Sequence, residues 1–137
     1  MDNLNDFVSD KLQFLQVDNG FKVNHKTIIE GHADGLIELE NKELLVQVIR
    51  DRGQISIYFA NSQSPKELFE LSELIEILKG EKHSLQSTDP AAIQFLHENF
   101  NEISDLLIKK FPQSISRRNE LREETLRSLG YGDEGEE

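Results

Sequence analysis

Leu44-Leu45-Val46-Gln47-Val48-Ile49-Arg50-Asp51-Arg52-Gly53-Gln54-Ile55-Ser56-Ile57-Tyr58-Phe59 decides the fold class of this chain. Two apolar, β-branched runs flank the polar segment Asp51-Arg52-Gly53, which is the pattern of a β-hairpin. A three-residue loop ending in glycine suits a type I turn followed by a left-handed residue and a G1 bulge. That register pairs Arg50 with Gln54, Ile49 with Ile55, Gln47 with Ile57 and Leu45 with Phe59. The apolar members of those pairs line one face. Leu44, Val46, Val48 and Tyr58 then fall on the other, and so apolar a face needs a cover.

Moving outward from the hairpin, Leu36 to Glu40 reads as a strand, preceded by the polar, glycine-bounded loop Glu30-Gly31-His32-Ala33-Asp34-Gly35. Phe21 to about Ile29 reads as another strand, whose alternation puts Phe21, Val23 and His25 on one side. The turn at Asn41-Lys42-Glu43 leaves two registers open. A two-residue Asn41-Lys42 loop sends Ile37 and Leu39 to the face of Leu44 and Val46, and a three-residue loop sends them to the other. Leu4, Phe7, Val8, Leu12 and Leu15 recur at helical spacing ahead of the stop Asp18-Asn19-Gly20.

After the sheet, Ser64-Pro65 with Glu67 at the capping-box position predicts a helix with the stripe Leu68, Leu71, Ile75 and Leu78, ended by Gly80. Asp89-Pro90 predicts a second helix carrying Ile93, Leu96, Phe100, Ile103 and Leu107, ended at Phe111-Pro112. A third runs from about Ser116 to Leu129, with Leu121, Leu126 and Leu129 as sparse apolar contacts. The expected fold is therefore α+β: an N-terminal helix, a four-stranded antiparallel meander and three C-terminal helices packed on the sheet.

The chain has 137 residues, a length that suits one domain over residues 1–130, followed by an acidic, disordered tail over 131–137. It has no cysteine, which excludes disulfides, thiolate metal sites and a cysteine nucleophile. Acid stands in Met1-Asp2-Asn3-Leu4-Asn5-Asp6 where a signal peptide carries base, and no apolar run is long enough to span a bilayer. Both point to a cytoplasmic protein. The net charge of −11 repels nucleic-acid phosphates and anionic lipid heads and attracts basic partners, although acidity also serves plain solubility.

No phosphate loop, nucleophile elbow, H-E-x-x-H or zinc ribbon occurs, so no catalytic residue and no cofactor is expected. His25, Glu30, His32 and Asp34 lie within ten residues and could ligate zinc or manganese if the loop folded back; otherwise they are incidental polar residues at a strand end. His97 reads as a boundary histidine beside an apolar stripe. Arg50 and Arg52 make a basic tip that could grip a carboxylate or phosphate in a partner, or a solvated turn with Asp51 as its counterion. Glu67, Glu70, Glu73 and Glu76 recur every three residues and form one broad acidic helix face, able to receive a basic partner or simply facing solvent. Arg117, Arg118, Arg122 and Arg127 interleave with Glu120, Glu123 and Glu124, the pattern of an exposed, salt-bridged helix.

The run Leu44 to Ile57, with its strand ending in Arg50-Asp51-Arg52-Gly53-Gln54, followed by Glu67-Leu68-Phe69-Glu70-Leu71, resembles small bacterial immunity-type proteins found beside polymorphic or contact-dependent toxins. The likeness covers about residues 36 to 80. It implies a non-enzymatic protein that neutralises a toxin by direct binding, with Glu67, Glu70, Glu73, Glu76, Arg50, Arg52 and Tyr58 as candidate contacts, as monomer or homodimer. Two other readings stand beside it. One is a secretion-chaperone-like dimer holding an effector segment on an apolar sheet face. The other is an enzyme with a dispersed metal site.

Overall fold

A computed structural model describes residues 4–28, 34–80 and 85–130. Its centre is an antiparallel sheet in the order β1-β2-β3-β4-β5. The strands are β1 (Lys22–Ile28), β2 (Gly35–Glu40), β3 (Leu44–Asp51), β4 (Gln54–Asn61) and the short β5 (Phe69–Glu70). Around it lie α1 (Leu4–Lys11), α2 (Gln13–Val17), α3 (Leu71–Lys79), α4 (Pro90–Glu98), α5 (Phe100–Ile108) and α6 (Phe111–Ser128). The α+β class and the antiparallel meander are as expected. The number of elements is not: five strands and six helices appear among the described residues.

The hairpin is one residue tighter than expected. Asp51 pairs with Gln54, so the loop is Arg52-Gly53 alone, with both φ angles positive at 53° and 82°. That is the signature of a two-residue type I′ turn, whose twist matches that of the flanking strands. The shift by one residue re-pairs every side chain. Val46 now faces Phe59 and Val48 faces Ile57, while Gln47 faces Tyr58 and Ile49 faces Ser56. Leu44, Val46 and Val48 do share a face, but with Ile57 and Phe59 rather than with Tyr58, and all five are buried.

The turn before β3 is also a two-residue connection, centred on Lys42-Glu43 rather than Asn41-Lys42. The Asn41 side chain holds it by accepting the backbone N–H groups of Glu43 and Leu44 at 2.9 and 2.8 Å. Leu39 therefore pairs with Val46 and Ile37 with Val48, completing the core face. In β1 a register shift between Val23 and His25 sends them to opposite faces: Val23 pairs with core-facing Leu39, and His25 with outward Glu38. The two were expected on one side, and the bulge at Asn24 is the reason they are not.

The helices cover the core face. Phe7 and Val8 of α1, Leu15 of α2, Leu74 and Ile75 of α3, Leu96 of α4, and Ile103 and Leu107 of α5 join the sheet's buried residues in one hydrophobic cluster. The N-terminal helix breaks at Leu12 into α1 and α2. The long helix after Asp89 breaks at Asn99, whose φ of −120° leaves the helical region and whose side-chain amide donates to the Phe95 carbonyl at 3.0 Å. Phe111-Pro112, read as a stop, instead opens α6, since proline at the first turn lacks only an N–H that a helix start does not use. Where α2 meets α4, the His97 ring stacks on Phe14 with centroids 4.3 Å apart, and its Nε2 lies 3.5 Å from Asp18 Oδ2.

The largest departure lies between Asn61 and Leu71. No helix starts at Ser64-Pro65. Turns bridge Ser64 to Asn61 and Glu67 to Ser64, and Phe69-Glu70 then pairs with Phe59 and Tyr58 as β5. Helix α3 begins only at Leu71, with Glu70 and Glu73 as its capping box, and it ends as expected at Gly80, φ 73°. Burying Phe69 beside Phe59 at 0% exposure outweighs the local helix-start signal, because a full aromatic burial is worth about 2–3 kcal/mol and a cap about 1 kcal/mol.

The positive φ values at the turn make its identity testable. A Cβ at Gly53 would meet nothing within 4 Å, so Gly53→Ala is penalised by backbone conformation alone. It is expected to cost about 1 kcal/mol in urea denaturation. Arg52→Asn is expected to gain about 0.5–1 kcal/mol with the m-value unchanged, since asparagine tolerates the left-handed region. A loss of stability in Arg52→Asn would contradict the two-residue turn.

Candidate interaction surface

With the helices gathered on the core face, the outer face of the sheet is defined by its cross-strand pairs. One row runs Thr27, Leu36, Ile49, Ser56; the next runs His25, Glu38, Gln47, Tyr58, Glu70; a third runs Lys22, Glu40, Leu45, Ala60. Leu36, Leu45 and Ile49 belong neither to the core cluster nor to the apolar side chains packed against it. They are half-buried, as is Tyr58, which Glu73 of α3 and Arg122 of α6 also approach closely enough to act on electrostatically. The polar row is ordered from within: Gln47 Nε2 donates to Glu38 Oε2 at 2.9 Å, and His25 Nε2 lies 2.8 Å from Thr27 Oγ1. The surface thus alternates apolar ridges with carboxylate and amide acceptors.

The row ends at a charged junction where β5 turns into α3. Burial, and then the neighbouring Glu73, push the Glu70 carboxyl above its usual range, against the opposing pull of the Ser72 hydroxyl and Arg122. Burial, and then Glu70, push the Tyr58 phenol up, so it stays protonated and remains a donor. Arg122 is held more firmly protonated, first by its hydrogen bond to Glu73. Its guanidinium grips Glu73 with Nε–Oε2 at 2.7 Å and Nη2–Oε1 at 3.0 Å, and it also donates to the Leu68 carbonyl at 3.0 Å.

The four glutamates expected on one helix face are divided between different tasks. Glu67 lies in the turn before β5, where its Oε1 accepts Arg118 Nη2 at 2.9 Å. Glu70 stands at the N-cap of α3, and only Glu73 and Glu76 lie within that helix. Arg118 itself is only 6% exposed, so it does not belong to a solvated helix surface. It donates to the Leu68 carbonyl at 3.2 Å and stacks over the Phe69 ring, 4.8 Å from its centroid. Arg118 and Arg122 thus reach across from α6 to the β5–α3 junction, while Arg117 keeps the expected local pairing with Glu120 at 3.1 Å and Glu124 at 3.7 Å. Sequence spacing had no signal for this, because a partner some fifty positions away is set by helix packing.

The two arginines of the hairpin also part. Arg52 is exposed at the turn, whereas Arg50 pairs with Ile55 on the helix side. There it lines a cleft of about 680 Å³ with Lys11, Glu70, Ser72 and Ser87. Ser87, 2% exposed, accepts the Ile57 N–H at 3.2 Å and so occupies part of the β4 edge beyond β5. Of the metal candidates, Glu30 and His32 lie outside the described residues, His25 is on β1 and Asp34 precedes β2. Among the described residues, no group of three or more His, Asp or Glu is placed to hold a metal ion. No helix among them is long and apolar enough to cross a membrane. Compared with known proteins, the chain matches no family model, no curated protein and no solved structure.

Two outcomes test this geometry. Arg118→Ala removes a buried stacking and carbonyl contact and is expected to cost about 2 kcal/mol. Glu67→Gln disturbs an ion pair whose carboxylate is 44% exposed, and should cost less than about 1 kcal/mol. Equal losses in urea denaturation would show that the ion pair, not the stacking, holds α6. For Glu70 the sign follows from its raised pKa. As pH rises through the carboxylate range the unfolded chain releases its proton first, so ionisation of Glu70 lowers stability until the folded carboxyl also ionises. Glu70→Gln, which keeps an oxygen for the cap, should therefore be more stable than the native chain at pH 7. The difference should vanish below about pH 4, and a difference independent of pH would refute the assignment.

Proposed function

We propose that this chain is a non-catalytic binding protein that holds a basic protein partner on its outer sheet face, as an immunity protein holds its toxin in the cytoplasm. The observation that carries the proposal is that this face presents Leu36, Leu45, Ile49 and Tyr58, none of them part of the hydrophobic core, between Glu38, Glu40 and Glu70. Apolar ridges supply area for a partner to bury, and the carboxylates select for lysine and arginine. The net charge of −11 adds long-range attraction for the same class of partner.

Apolar residues on the outer sheet face also suit the chaperone-like dimer. Charge weighs against it, since two copies meeting face to face would bring Glu38, Glu40 and Glu70 of each against like charges. A dispersed metal site would need Glu30 and His32 to join His25 and Asp34.

The deciding experiment looks beside the chain's gene for a secreted protein with a toxic C-terminal domain, whose absence would count against the proposal, and co-expresses that domain with the chain in a sensitive host. Protection is expected, together with a complex that weakens as salt is raised. Tyr58→Ala, which removes an aromatic anchor from the centre of the face, should weaken that complex at least about tenfold. Absence of both protection and complex would overturn the proposal.

A further inference from the structure

Beside the junction at Glu70, α3 and α6 diverge to leave a groove of about 440 Å³. Glu70, Glu73 and Glu76 form one wall, and Leu121, Arg122 and Leu126 form the other. Leu126 lines this groove, and Leu129 follows it by three residues at the end of α6. Leu121 is buried, but Leu126 and Leu129 are 48% and 64% exposed, although α6 spacing would have placed them against the core. On the acidic wall Arg122 answers Glu73 alone at close range; no lysine or arginine among the described residues pairs with Glu76. Glu70 is half-buried beside Glu73 and so gains from an added cation. The groove therefore joins an unpartnered apolar strip to carboxylates short of positive charge, and through Glu70 it is continuous with the outer sheet face.

Charge selects the occupant. The chain's own terminal segment Gly132-Asp133-Glu134-Gly135-Glu136-Glu137 carries four carboxylates, which would meet the wall with like sign. A second copy, with a net charge of −11, has the same difficulty. We propose that the groove between α3 and α6 seats a cationic amphipathic helix of the partner, its leucine-type residues on Leu126 and Leu129 and its lysines or arginines at Glu70 and Glu76. Helix-in-groove docking is a general recognition mode, with apolar anchors spaced by about one helical turn, and an exposed pair at positions 126 and 129 offers that spacing. The inference rests on the proposed basic partner and specifies how it is gripped.

The test uses the full chain and a synthetic lysine–leucine amphipathic helix of about five turns, with a scrambled peptide of the same composition that lacks the apolar stripe. Fluorescence anisotropy should show the amphipathic peptide binding at least about tenfold tighter than the scrambled one. Leu126→Asp and Glu76→Gln should each weaken it, by about tenfold and about threefold respectively. Glu102→Gln on α5 makes the same charge change away from the groove and should leave affinity within about twofold. Leu126 is half exposed, so its substitution leaves the fold intact, which an unchanged urea midpoint verifies. Equal binding of the two peptides, or equal effects of Glu76→Gln and Glu102→Gln, would mean attraction by net charge alone and would overturn the groove. A toxin complex that forms normally with Leu126→Asp would overturn the groove while leaving the proposed function standing.

Discussion

The face-to-face packing of Val46 with Phe59 and of Val48 with Ile57 governs the rest of this structure. Side chains alternate along a strand with a period of two, so the length of the Arg52-Gly53 turn decides which set turns inward. With two turn residues, Leu44, Val46, Val48, Ile57 and Phe59 join Ile37 and Leu39 in one continuous apolar face. That face is where the helices settle, because it is where their stripes remove the most apolar surface from water. The outer face is its complement: half-buried leucines, an isoleucine and a tyrosine set among carboxylates.

The second consequence concerns charge. A net charge of −11 suggests acid available everywhere, but tertiary contacts decide which carboxylates are already neutralised within the chain. Glu67 and Glu73 are taken up by Arg118 and Arg122, which tie α6 to the start of α3. Glu70 and Glu76 are left facing the groove, and Glu38 and Glu40 stand on the sheet. Strand β5 makes this division. By pairing Phe69 with Phe59 it fixes where α3 starts, and with it the place of Glu70 between the outer face and the groove.

Much of the fold was legible because local chemistry and global fold agree there. Gly80 stops a helix, Asp89-Pro90 starts one, and Asp18-Asn19-Gly20 separates helix from strand, each through a backbone preference that acts within a turn. Where the reading failed, two local signals competed. Asp51-Arg52-Gly53 suits a three-residue loop and Arg52-Gly53 a two-residue one, and only the burial of Phe59 beside Val46 rather than beside Leu45 separates them. Ser64-Pro65-Lys66-Glu67 has every mark of a helix start, but a distant strand claims Phe69.

The amino-acid sequence by itself determined the α+β class, the antiparallel meander of its first four strands, and the acidity of the chain. Those properties depend on hydrophobic periodicity, turn residues and net charge, which are local or additive. Tertiary structure alone decided which face is covered, which glutamates are neutralised and where Arg118 is buried. Each depends on side chains separated by many residues, and a slip of one position in a strand, or the break at Asn99 in a helix, redirects them all.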